Sequence, residues 1–168
     1  MFLFKSTRKV FVLTTLLISH VSVADQKSHW QVATDYDVLN KHVACLMSSV
    51  KKTSSDGQGT TRVQLFYNGK EFVAVTQSNI DLSYPGLGIK VDGAAILPID
   101  HLNKETMAVF TQEADKIKQL FIEGHTAVLT LGFWPTWPKT QSYDTEFSLL
   151  GFTKAYKEFL QCQKDFQV

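Results

Sequence analysis

The sequence predicts a mainly β domain: an antiparallel sandwich or open barrel, with a middle helix and a C-terminal helix packed on the sheet (α+β by element count). Three observations carry this. Apolar and polar residues alternate over many short runs, the two-residue period of half-buried strands. Glycine, asparagine and aspartate punctuate those runs at short intervals, as hairpin turns require. Helical periodicity occurs in only two segments, and no repeated strand–helix–strand unit is present.

In chain order, residues 1–24 read as a removable secretory signal. Lys5, Arg8 and Lys9 precede the apolar run Val10 to Ile18, and the small residues "SVA" follow at Ser22 to Ala24. Basic, then apolar, then small is the pattern of a cleaved leader, here cut after Ala24. The apolar run is about half of the roughly 20 residues a membrane-spanning helix needs. No later stretch is long and apolar enough to span a bilayer. Residues 25–168 are then expected to form a single globular β-rich domain, long enough for one hydrophobic core. The expected location is the periplasm or the medium.

"HWQVATDYDVL" alternates at Trp30, Val32 and Thr34, and "HVACLMSSVKK" continues as a strand. "TSSDGQGTT", Thr53 to Thr61, reads as a loop at a mobile hairpin tip. In "RVQLFYNGKEFVAVTQ", Val63, Leu65 and Tyr67 alternate and Phe72 to Val75 returns. Asn68-Gly69 between them tolerates positive φ at both positions, which predicts a two-residue type I′ turn or one slightly longer. In "YPGLGIKVDGAAILPID", Ile89 to Val91 forms a strand, Asp92-Gly93 turns, and Ala95 to Ile99 forms another. "TQEADKIKQLFIEG" switches to helical period: Ala114, Ile117, Leu120 and Phe121 share a face, with Thr111 expected to cap the start and Gly124 the end. "HTAVLTLGFWP" resumes as a strand. After Gly151, Phe152, Ala155, Tyr156, Phe159 and Leu160 define one broad apolar helical face.

Charge excludes one class of partner. Loss of Lys5, Arg8 and Lys9 leaves 14 Lys+Arg against 16 Asp+Glu, a net of −2. With no basic cluster, nucleic acid is not an expected partner, because phosphate binding rests on clustered Lys and Arg.

The residues that bear chemistry are few. Cys45 and Cys162 are the only cysteines. In an exported chain they are expected to form an intramolecular disulfide, with free thiols or an intermolecular bridge as the alternatives. His29, His42, His101 and His125 have no metal-binding spacing between them, so no metal and no cofactor is expected. There is no serine elbow, and Gly86, Gly88 and Gly93 precede no helix that would hold a phosphate. A hydrolase would have to assemble its site in three dimensions, with Asp100, His101 and His125 as raw material. "GFWPTWP" concentrates aromatics: Trp134 and Trp137, with Tyr143 nearby, either cap the open end of the core where a strand leaves the sheet or form the candidate contact surface for a sugar or peptide, while Phe133 alternates into the core.

Several of these stretches, in order, resemble the invasion-associated locus B family of bacterial exported proteins. Trp30 and Val32 of "HWQVAT" are similar to its opening Trp-x-Val strand, and "CLMSS" at Cys45 to the cysteine segment that follows. Pro85, Gly88, Gly93 and Asp100 in "YPGLGIKVDGAAILPID" match its middle signature. "SLLGFTKAY" (Ser148, Leu149, Gly151, Phe152, Ala155, Tyr156) resembles its closing run. The chain departs from the family at Thr34 and at "FTQEAD", where cysteines are usual; a Cys45–Cys162 bridge would replace the customary ones. The resemblance implies an exported protein, linked in some relatives to host-cell invasion; the lack of any catalytic constellation in the sequence makes a non-enzymatic protein, acting through an unidentified protein or envelope component, the first expectation. It carries no catalytic residues. A small exported hydrolase and a periplasmic inhibitor or immunity-type protein are the alternatives.

Overall fold

A computed structural model describes residues 28–37, 42–135 and 141–166; the expected leader and Trp137 lie outside them. The strands are β1 Trp30–Asp37, β2 His42–Ser49, β3 Lys52–Ser55, β4 Thr60–Tyr67, β5 Phe72–Thr76, β6 Asn79–Ile80, β7 Gly88–Val91, β8 Leu97–Pro98, β9 His101–Leu102 and β10 Met107–Phe110. Helix α1 (Ala114–Glu123) then leads to β11 Thr126–Leu131, β12 Phe133–Trp134 and β13 Tyr143–Ser148, and helix α2 spans Phe152–Phe166.

Every strand pairing is antiparallel. One sheet runs β1-β2-β4-β5-β10-β9, with β3 also on β4; a second runs β13-β11-β7-β8; β6 and β12 form a separate pair. Neither larger sheet closes on itself, so the expected architecture appears in its sandwich form, with helices packed on it. The period-2 pattern explains the layering. In β4, Thr61, Val63, Leu65 and Tyr67 are buried while Arg62, Gln64 and Phe66 turn outward. Both sheets and both helices feed one buried cluster, which includes Met47 and Leu65 from the first sheet, Ile89 and Leu129 from the second, and Phe121 and Phe152 from the helices.

A bulge divides β2 from β3. Ser48 pairs with Phe66 and Lys52 with Val63, so residues 49–51 oppose only 64–65. The Ser49 hydroxyl accepts the Leu65 N–H at 3.0 Å, and the Gln64 amide donates to the Ser49 carbonyl at 2.8 Å. A side chain thus satisfies a backbone group that the ladder would otherwise leave unpaired.

Turn chemistry sets the strand lengths at three places. Tyr67 pairs with Phe72, so the Asn68-Gly69 hairpin has a four-residue loop. The Asn68 side-chain oxygen accepts from Lys70 N and Glu71 N and holds this longer turn. Residues Thr53 to Thr61 are mostly strand; only 56–59 form the tip, and Asp56 ties it down by accepting from Gln58 N, Gly59 N and the Ser78 hydroxyl. Of Ala95 to Ile99, only Leu97–Pro98 joins the sheet, because the Asp92-Gly93 turn closes early through Ala94 N to Val91 O at 2.8 Å.

Helix α1 starts at Ala114, behind an N-cap at Glu113 that makes no side-chain capping bond. Thr111 does not cap it; its hydroxyl donates to Glu71. The Asp100 carboxylate instead accepts Thr111 N at 2.6 Å and Gln112 N at 2.8 Å, fixing the turn that enters the helix. Helix α2 packs on β1 and β2. Phe152, Ala155 and Phe159 are buried and Tyr156 is half-buried, but Leu160 is 39 % exposed. The buried stripe is therefore narrower than the apolar one. Cys162 bonds to Cys45 of β2 with Cα atoms 6.0 Å apart, so the intramolecular bridge is formed.

Around α2 lies an aromatic cluster. Trp30 meets Phe152 edge-on at 4.9 Å, Phe152 meets Phe121 at 5.2 Å, and Phe121 meets Phe72 at 5.3 Å. The Trp30 indole donates to the Ser148 carbonyl at 3.0 Å, so its one polar atom is satisfied. Gly151 precedes the helix at φ +87, a conformation that side chains disfavour, and a Cβ there would lie 2.2 Å from the Ser28 hydroxyl. Each fully buried aromatic ring of this group contributes roughly 1.5–3 kcal/mol by burial.

Candidate functional site

The short strands β6 and β12 put an exposed tryptophan beside a polar cleft. Phe133 pairs with Ile80 and Trp134 with Asn79. Phe133 and Ile80 face the core, so the alternation of the strand turns Trp134 outward, 65 % exposed. Asn79 lies directly across on the same face, and its amide donates to the Glu105 carboxylate at 2.6 Å. Asp81 N donates to the Gly132 carbonyl at 3.0 Å, and the Asp81 carboxylate accepts Ser83 N at 2.9 Å, shaping the adjoining loop. The result is an open cleft of about 620 Å³ bounded by Asn79, Asp81, Leu82, Leu102, Glu105 and Trp134.

Gly132 makes this geometry possible. A Cβ there would come within 2.4 Å of the Tyr84 ring and 3.0 Å of the Asp81 carbonyl. The hairpin tip braces the same corner: the Thr61 hydroxyl accepts from Gln77 N and Ser78 N, and the Gln58 amide donates to the Pro135 carbonyl. The Ser78 hydroxyl bond, above all, holds the Asp56 carboxyl below its ordinary range, with the Gly59 and Gln58 backbone bonds adding to it against the opposing effect of partial burial.

Of the residues expected to form a contact surface, Trp134 is exposed at the rim of the cleft. Tyr143 is half-buried on β13 with its ring 6.4 Å from that of Phe133, and its enclosed hydroxyl has no hydrogen-bond partner among the described residues. It belongs to the packing behind the cleft rather than to the exposed face. Asn79, Asp81 and Glu105 were not legible from the sequence as site residues, because the register of two two-residue strands brings them to Trp134.

The acid–histidine set does not assemble. Asp100 engages residues 111–112, ahead of α1, whereas His125 follows the other end of that ten-residue helix, roughly 15 Å away along its axis. His125 instead faces Asp92, whose carboxylate accepts His125 N and Thr126 N, both at 2.9 Å. Those backbone bonds lower the Asp92 carboxyl, with the His125 ring adding to them. This is a latch on the β7–β8 turn. His101 is exposed on β9. Among the described residues no His, Cys, Asp or Glu group has the clustering a metal would need.

Together these features define an antiparallel β protein whose first hairpin is clasped to a helix by a disulfide, with a tryptophan-edged cleft at the far strand pair. Set beside known proteins, the chain matches no family model, no curated protein and no solved structure. Among the described residues, no helix is long and apolar enough to cross a membrane.

Proposed function

We propose that the chain is an exported bacterial protein of the periplasm or envelope, of the invasion-associated locus B kind, that acts by contact rather than by catalysis. The observation that carries the reading is Trp134, a large indole held 65 % exposed at the rim of a cleft. Burying that ring against a partner would be favourable, and tryptophan is among the side chains most enriched at binding hot spots. The Cys45–Cys162 bridge supports export, since such bonds persist in oxidising compartments. The ordered motifs from Trp30 to Tyr156 support the family reading. Asp100 and His125 stand at opposite ends of α1, which weighs against a hydrolase built from that pair.

Binding of the mature protein to envelope fractions tests the reading. The Trp134→Ala/Trp137→Ala variant is expected to bind at least about ten-fold more weakly, the loss of one hot-spot side chain. Equal binding by the folded variant removes this surface. Fractionation of the producing cell tests location: the chain should be recovered outside the cytoplasm, shortened to begin at Asp25.

A further inference from the structure

We propose that the Trp134 cleft receives an arginine side chain from a segment of a partner protein. The inference rests on the contact reading above and adds the chemistry of the ligand. Two observations independent of each other point to it. The first is charge. Asp81 and Glu105 both line the cleft, no basic residue lines it among the described residues, and neither carboxylate has a salt-bridge partner there. Lys104 sits in the neighbouring turn and does not line it. The second is the indole itself. An exposed tryptophan face is the best side-chain partner for a cation, and guanidinium stacks on it as a plane.

Charge, rather than hydrogen-bond capacity, favours arginine over a sugar. The Ser83 hydroxyl and the Trp134 indole N–H are donors that a sugar could also use, but the two carboxylates gain a charged partner only from a cation. The remaining carboxylate oxygens of Asp81 and Glu105 are acceptors only. A guanidinium offers five donors and no acceptor, and it can pair with a carboxylate through two parallel bonds. Leu82 and Leu102 supply apolar surface for the methylene stem.

The test titrates the mature, oxidised protein with a capped Gly-Arg-Gly-Arg-Gly peptide while backbone and indole amide shifts are followed. The expected shifts centre on Asn79, Glu105 and the Trp134 indole N–H. The same peptide with citrulline in place of arginine should bind about ten-fold more weakly, because shape is kept and charge is lost. Glu105→Gln with Asp81→Asn should weaken the arginine peptide to a similar degree; both substitutions keep an acceptor oxygen for the existing bonds. Equal binding of the citrulline peptide, or no arginine-dependent shift at these residues, overturns the proposal. So does a neutral tetrasaccharide that shifts the same signals when the arginine peptide does not. If the Trp134 variant loses envelope binding while the Asp81/Glu105 variant keeps it, the contact reading stands and the arginine reading falls.

Discussion

At the scale of single residues, Gly132 joins fold to site. Its missing side chain lets the loop from Asp81 to Tyr84 close over the β6–β12 pair. Gly132→Ala should cost about 1–3 kcal/mol in denaturant unfolding, since the Tyr84 ring and the Asp81 backbone must both give way. It should also move the amide shifts of residues 81–84 while leaving those of α2 in place. Asp56 makes a different kind of prediction. Its carboxyl is held below its ordinary 3.8, chiefly by the Ser78 hydroxyl. A group lowered in the folded state stabilises above its unfolded pKa, and that contribution disappears as pH falls through the lower, folded value. Asp56→Asn should therefore be less stable than the parent near neutral pH, and the gap should narrow below about pH 3.8. A gap that stays constant down to pH 2 would mean that the charge of Asp56 is immaterial and only its shape matters.

At the scale of elements, α2 shows how far a periodicity argument reaches. Its start after Gly151 and its buried stripe of Phe152, Ala155 and Phe159 follow from spacing alone. The exposure of Leu160 does not, because the width of a buried stripe depends on the curvature of the sheet beneath, which no helical period encodes. Phe152→Ala should cost about 3–5 kcal/mol and Leu160→Ala well under half of that, measured by urea unfolding. Comparable losses would mean that α2 is rotated from the position described. The same limit governs α1. Its apolar face was legible, but its entry was not: the carboxylate that fixes it comes from Asp100, eleven residues before Thr111 and on the far side of a hairpin. The Asn68-Gly69 pair likewise marked a hairpin but left its length open, and the side chain of Asn68 sets it by recruiting two further backbone amides.

At the scale of the whole molecule, the disulfide links β2 to α2 across 117 positions. Cys45→Ser/Cys162→Ser should lower stability by about 2–4 kcal/mol, and the parent protein should show no alkylatable thiol and remain a monomer without reductant. Two titratable thiols in the native protein would contradict the bridge. The pairing was one of three options open to the sequence; export chemistry favoured it, and proximity in the fold selected it. The candidate site was legible only in Trp134. Its companions come from two other segments, Asn79 and Asp81 from one and Glu105 from another, and strand pairing with the Asn79 and Ile80 bonds to Glu105 unites them. A further consequence lies in the seam between β1 and α2. His29 N donates to Leu150 O, the Trp30 indole to the Ser148 carbonyl, and Ser28 fills the space a side chain on residue 151 would need. Synthesis runs from the amino end, so Trp30, Tyr67 and Phe72 are made long before Phe152 and Phe159, which cover them. Those rings stay without their partners until α2 has been made, so the last residues to be added are the ones that close the aromatic cluster.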